Sequence, residues 1–353
     1  MSPHEDLQAT PRDGSQPTLR EDSQAGLREA LQAGLDGKAK PLGSLGRIES
    51  LAIQLGLIQG TRHPAVNPAV LVFAGDHGAA PGVSAYPSSV TAAMVGAYLS
   101  GYAAVNLFAA QAGARLLVVD AGVAADLPPH PALIGAKVRP GTRDWRAGPA
   151  MTAAELDQAL HAASALVDRL AGEGCTVLAL GEMGIGNTAS AALLVHKVSG
   201  LALDDLIGRG AGLDDAGLER KRAALAAGAT RTAPRLPSRD ALIEYGGYEI
   251  AMLAGAILRA SERRVCVLVD GVIVTAAAVL AHALRPDCLQ ACIFAHRSAE
   301  RGHDLMLAHL GATPLLDLGM RLGEGTGATL AIPLLRAAAA VLSEMVDLQD
   351  LLA

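Results

Sequence analysis

Between His63 and Asp317 the chain repeats one texture: a run of about five apolar residues stops abruptly at polar ones, then gives way to a longer stretch at helical spacing. Val70–Gly75 stops at Asp76-His77-Gly78, Ala114–Val119 at Asp120, and Cys175–Leu180 at Glu182. Val265–Val269 stops at Asp270-Gly271, and Ala291–Ala295 at His296-Arg297-Ser298. Short continuous apolar runs are strands buried on both faces, and their alternation with helices predicts an α/β fold with a parallel sheet covered by helices. In such sheets ligands bind outside the carboxyl ends of the strands, where these polar residues gather.

The flanking pattern is helical. Leu19–Leu35 alternates apolar and charged residues at helical spacing and is stopped by Gly37 and Pro41. Leu45, Ile48, Leu51, Ala52 and Leu55 mark one face of a second helix, for which Ser44 is the expected cap. Within the central region Thr152 and Glu155 form a capping-box pattern ahead of apolar positions that continue to Leu170. The polar segment Met1–Pro17 lacks the order of a secretion signal and is expected to be a disordered tail. No uncharged run is expected to cross a membrane, so a cytoplasmic protein is expected.

Composition narrows the ligand class. A net charge of −6, 3% aromatics and no dense basic block argue against a nucleic-acid or anionic-membrane partner. Cys175, Cys266, Cys288 and Cys292 sit in or beside apolar runs without Cys-x-x-Cys spacing and read as reduced core residues. The expected ligand is therefore a small molecule.

Three glycine-rich turns carry the candidate chemistry. Gly181-Glu182-Met183-Gly184-Ile185-Gly186-Asn187-Thr188 lies between a strand and a helix, where close main-chain approach and unpaired N–H groups suit a phosphate. The Walker lysine and the dinucleotide fingerprint are both missing, so a plain tight turn stays open. Gly208–Asp215 leads into a helix carrying Lys221, which is either an anion ligand or a solvated surface lysine. Asp214 and Asp215 fit helix capping better than a magnesium site. Glu324, set between Gly323 and Gly325, is either a desolvated general base or a glutamate paired with a helix dipole.

In order along the chain stand Lys40–Gly46, Ala74–Gly78, Gly82-Val83-Ser84-Ala85-Tyr86-Pro87, Gly148–Thr152, Gly181–Thr188, Gly208–Asp215, Gly246–Ile250, His296–Glu300 and Leu322–Ala328. Together these motifs resemble the nicotinate-nucleotide:dimethylbenzimidazole phosphoribosyltransferase family of cobalamin lower-ligand synthesis, from about Lys40 to the C-terminal helices. The resemblance implies a large Rossmann-like domain over residues 65–328 and a small helical domain built from 18–64 and 329–353, the whole a homodimer. It implies transfer of the phosphoribosyl group of nicotinate mononucleotide to a benzimidazole-type base, without metal or cofactor. Glu324 then matches the catalytic base. Gly184, Ile185, Gly186, Asn187 and Thr188 match the phosphate cradle, with Gly210, Lys221 and Ser298 as helpers and Glu182 beside the ribose. Ser84, Tyr86, Met183 and Leu322 would line the base pocket. Ser88, Ala92 and Ala93 stand where the family tends to carry amides, Ala211 replaces a usual threonine and Arg301 a common proline. These departures leave the acceptor base open.

Overall fold

All eight residues of strand β1 (Pro68–Gly75) are buried, because the strand lies between neighbours in the middle of the sheet. The computed structural model describes residues 16–353. Its six strands are β1, β2 (Arg115–Gly122), β3 (Leu133–Gly135), β4 (Val177–Met183), β5 (Cys266–Val269) and β6 (Cys292–Phe294), and every pairing is parallel. The five apolar runs are five of these strands. The sixth, β3, is a three-residue edge strand with partly exposed side chains, too short to stand out in the pattern.

The spatial order is β3-β2-β1-β4-β5-β6. The chain runs outward from β1 through β2 and β3, then restarts at β4 on the other side. The crevice at the carboxyl ends of β1 and β4 is thus the topological switch point, the place where open parallel sheets bind ligands. Gly75-Asp76-His77 leaves β1 there, and Glu182 pairs with Phe73 in the adjacent strand. Helices Ala153–Gly172, Tyr248–Glu262, Val272–Leu284 and Asn187–Ser199 supply most of the apolar packing for this sheet. Thr152 caps the first of them as its sequence predicts: its Oγ1 accepts the Glu155 N–H at 3.2 Å and its N–H donates to Glu155 Oε2 at 2.7 Å.

The chain divides into two units, one of Ala65–Ala337 and one of the described residues up to Pro64 together with Ala338–Ala353. In the smaller unit, helices Gln16–Asp36 and Arg47–Gln59 touch where Gly56 leaves room, since a β-carbon there would lie 2.7 Å from the Leu31 side chain. Ser44 does not cap the second helix. Gly46 precedes it without a side-chain cap, and Glu49 instead accepts the Leu45 N–H at 3.0 Å while pairing with Lys40 at 2.9 Å. The tail expected over Met1–Pro17 lies outside the described residues as far as residue 15, and Gln16 and Pro17 already belong to the first helix.

One expectation about membranes needs correction. Ser89–Gln111 is uncharged and, at 23 residues, long and apolar enough by composition to cross a bilayer. It folds as two shorter helices, Ser89–Leu99 and Ala104–Gln111, interrupted where Gly101 takes φ +80°. Neither approaches the roughly 20 residues a spanning helix needs. Thr326–Ser343 also passes by length and composition, but contains Pro333 and Arg336.

Thr152→Ala removes one N-cap hydrogen bond and leaves the Glu155 side chain its pairing with Arg143, so the loss should be about 1 kcal/mol of unfolding free energy. Urea titration of the two proteins measures it.

Candidate active site

The turn after β4 is shaped by what cannot be placed there. A β-carbon at Gly184 would lie 2.5 Å from the Gly75 carbonyl oxygen, so the turn rests directly on the end of β1. Gly186 takes φ +96°, which a side chain would strain, at the start of helix Asn187–Ser199. Beneath it His77 is wedged between two elements: its Nδ1 lies 3.0 Å from Ser190 Oγ and its Nε2 2.6 Å from Glu249 Oε1, all three residues being buried. The Ile185 N–H is held by Thr91 Oγ1 at 3.2 Å.

Lys221 is not the solvated surface lysine that its sequence context allows. It is 1% exposed, and its Nζ donates to Thr188 Oγ1 at 2.9 Å and to the Gly208 carbonyl at 3.0 Å. Burial lowers its pKa to about 8, with Glu300 acting in the opposite sense, so the ammonium is charged at neutral pH. Gly210, at φ +54°, donates its N–H to Glu300 Oε1 at 3.1 Å, and the Glu300 N–H donates to Ser298 Oγ at 3.2 Å. Ser298 in turn donates its N–H to His303 Nδ1 at 2.8 Å, so that nitrogen is unprotonated and Nε2 is left as donor to Thr275 Oγ1, 2.9 Å away. Burial keeps His303 neutral, its pKa lowered to about 4. The phosphate candidates Gly184–Thr188, Gly210, Lys221 and Ser298 are therefore linked through Thr188 and Glu300. Asp214 caps its helix through the Gly217 N–H at 2.7 Å, and Asp215 pairs with Arg209.

Glu324 lies on a turn of three consecutive left-handed residues, at φ +83° for Gly323, +63° for Glu324 and +80° for Gly325. A non-glycine residue there is strained by about 1–3 kcal/mol and persists only where its surroundings hold it. Asp270, buried at the end of β5, does the holding: its two oxygens accept the Gly325 N–H at 3.2 Å and the Ala328 N–H at 2.8 Å. Gly181 in β4 lets the turn lie against the sheet, because a β-carbon there would meet the Gly325 nitrogen at 2.4 Å. That brings Glu324 beside Glu182, whose Oε1 lies 2.6 Å from the β-carbon position of Gly323.

Both carboxyls are buried and both titrate high. Desolvation raises Glu182 most, with the charges of Glu249 and Asp270 adding to it, and its pKa is pushed up to about 8 despite a hydrogen bond from Asn187. Desolvation also raises Glu324, which the Tyr98 phenol opposes and Asp270 reinforces. Met183, at the end of β4, is part-buried, and Ser84 accepts the Tyr86 N–H at 3.3 Å on the loop after β1. Tyr86 and Leu322 keep 49% and 56% of their surface exposed.

Several residues of this site were not among the candidates. Asp270 is visible in the sequence only as the polar end of a strand, His77 and Glu249 lie within the motifs Ala74–Gly78 and Gly246–Ile250 without a role of their own, and Tyr98 sits inside a helix and carries no local signal.

A raised carboxyl pKa makes the folded state bind more protons than the unfolded chain between the ordinary value of 4.5 and about 8. Stability should therefore fall as pH rises through that window, and Glu182→Gln should flatten the fall. Denaturant titrations of both proteins from pH 5 to 8 read the slope; equal slopes would remove Glu182 as a titrating group.

The geometry can be set beside known proteins. A phosphoribosyltransferase family model, DBI_PRT, matches residues 21–350. The chain is 54% identical over 313 residues to the nicotinate-nucleotide--dimethylbenzimidazole phosphoribosyltransferase of Cupriavidus taiwanensis, covering 88% of this chain and 90% of that one. It is 48% identical over 314 residues to the protein of the same name from Roseiflexus sp., covering 88% and 89%. Among solved structures, the crystal structure of CobT from Thermus thermophilus superposes with a TM-score of 0.88 at 43% identity, covering 92% of this chain and 98% of that one. The switch-point turn, the buried lysine and the strained glutamate thus belong to a chain of the DBI_PRT phosphoribosyltransferase family.

Proposed function

We propose that the chain transfers the phosphoribosyl group of nicotinate mononucleotide to 5,6-dimethylbenzimidazole or a related lower-ligand base. The products are α-ribazole 5′-phosphate and nicotinate, in cobalamin lower-ligand synthesis. The observation that carries this reading is a desolvated carboxyl, Glu324, held in a strained conformation beside a glycine turn that opens a helix and is backed by a buried lysine. In this reading Gly184–Thr188, Gly210, Ser298 and the Lys221 ammonium hold the 5′-phosphate.

One ring nitrogen of the neutral azole attacks C1′ as the bond to the nicotinate nitrogen breaks. The bonding electrons return to the pyridinium ring and neutralise it. The proton on the other azole nitrogen passes to Glu324, so the product avoids an extra positive charge. Glu182, largely protonated at neutral pH, holds a ribose hydroxyl in this reading. Ser84, Tyr86, Met183 and Leu322 line the acceptor side. Ser88, Ala92 and Ala93 remove amide groups there, which widens the range of acceptors to be tried.

The protein as proposed works as a homodimer in the cytoplasm. The exposed, uncharged Ser89–Gln111 face, with Tyr102 and Leu107 85% and 60% exposed, supports pairing with a second copy. Four free, buried cysteines support a reducing compartment.

Purified protein given nicotinate mononucleotide and 5,6-dimethylbenzimidazole should release nicotinate, and Glu324→Gln should bind the nucleotide but lose at least about 100-fold in turnover. No release with any azole, purine or phenol offered would overturn the enzymatic reading, and near-normal turnover of the variant would remove Glu324 as the base. Nucleotide affinity should also fall as pH rises past about 8, where the Lys221 ammonium is lost, and Lys221→Ala should bind weakly at every pH. Calorimetric titration across pH tests both.

A further inference from the structure

The phosphate subsite of the proposed reaction is already in contact with an anion of the protein's own. The Glu300 carboxylate accepts the Gly210 N–H at 3.1 Å, a donor assigned above to the substrate phosphate. It also fills the space over Gly208, where a β-carbon would lie 2.0 Å from Glu300 Oε1. The Gly208 carbonyl receives the Lys221 ammonium at 3.0 Å, so carboxylate and ammonium converge on one short segment of chain. Glu300 is the acid that acts on that buried ammonium, whose direct hydrogen-bond partners, Thr188 Oγ1 and the Gly208 carbonyl, are neutral.

A buried cation needs a counter-charge, and a second anion cannot be brought to the same donors without displacing the first or being repelled by it. Glu300 is only partly buried. With Ser298 it lines a cleft of about 430 Å³ that also carries Arg297, Arg301, Asp304 and Asp317, the first arginine paired with both of these aspartates and the second with Asp205. We propose that Glu300 is a specificity-determining residue, a built-in occupant of the donor phosphate subsite that the 5′-phosphate of the substrate displaces on binding. Binding is then an exchange of anions at Lys221, and a ligand without a phosphate does not drive it. This rests on the phosphate role proposed for Gly184–Thr188, Gly210 and Lys221.

The test is the sign of the change in anion affinity when the charge on Glu300 is removed at constant shape. Glu300→Gln should bind inorganic phosphate and nicotinate mononucleotide about tenfold more tightly than the unaltered protein, as expected for the loss of one like charge at a partly exposed site. Its thermal midpoint should rise more on adding phosphate than that of the unaltered protein. A carboxylate that merely braces Gly210 predicts the reverse, since the amide is the weaker acceptor. Equal or weaker binding by the variant, with the unaltered protein still binding nucleotide, overturns the exchange and leaves the phosphate subsite standing. Failure of both proteins to bind either ligand overturns both. Glu300→Asp, whose shorter carboxylate retreats from Gly210, should fall between the two, and an Asp variant that binds more weakly than the unaltered protein also counts against displacement.

Discussion

The arrangement around the glycine turn before helix Thr326–Ser343 depends on one buried carboxylate, Asp270. Its oxygens take the N–H groups of Gly325 and Ala328, which helix geometry leaves without partners, and so anchor the start of that helix to the end of β5. Glu324 is the residue just before, in a left-handed conformation that a glutamate does not choose by itself. Without the anchor nothing local opposes its relaxation. With the anchor, and with Gly181 bare beneath it, the carboxyl is delivered to the switch point where β1 and β4 diverge.

That placement has an electrostatic consequence. Glu182, Asp270 and Glu324 crowd into one buried region beside Glu249; desolvation raises the pKa of all three, and repulsion from neighbouring carboxylates adds to it at Glu182 and Glu324. A few steps away the same sheet end buries an ammonium, Lys221, and burial lowers its pKa. The two regions are joined by one residue pair, Asn187 donating to Glu182 and the adjacent Thr188 accepting from Lys221. The buried carboxyl Glu182 and the buried ammonium Lys221 are thus linked through two adjacent residues of one turn.

The sequence also shows where local signals stop. Continuous apolar runs suffice for five strands because a strand buried on both faces has no polar option, whereas β3 is three residues long at an edge and leaves almost no trace. Thr152 and Glu155 were legible as a capping box because both partners lie within one turn. Ser44 has the spacing of a cap but does not act as one, because the arrangement that wins, Lys40 with Glu49, involves a residue further along the helix. Lys221 reads as a surface lysine in a helix of mixed polarity, and only the packing of Gly208 and Thr188 around its ammonium makes it a buried one.

The pattern of apolar runs and glycine turns by itself determined the parallel α/β class and the side of the sheet where chemistry collects, since both follow from local periodicity and chain direction. It also singled out Glu324 and Gly184–Thr188 as the turns worth attention. Tertiary structure alone decided that these turns meet, that Asp270 holds one and His77 with Glu249 underlies the other, and that Glu300 lies against the phosphate donors. Those partners are separated by tens to hundreds of residues, and burial, which sets every pKa that matters here, is a property of the folded ensemble of neighbours rather than of any stretch of chain.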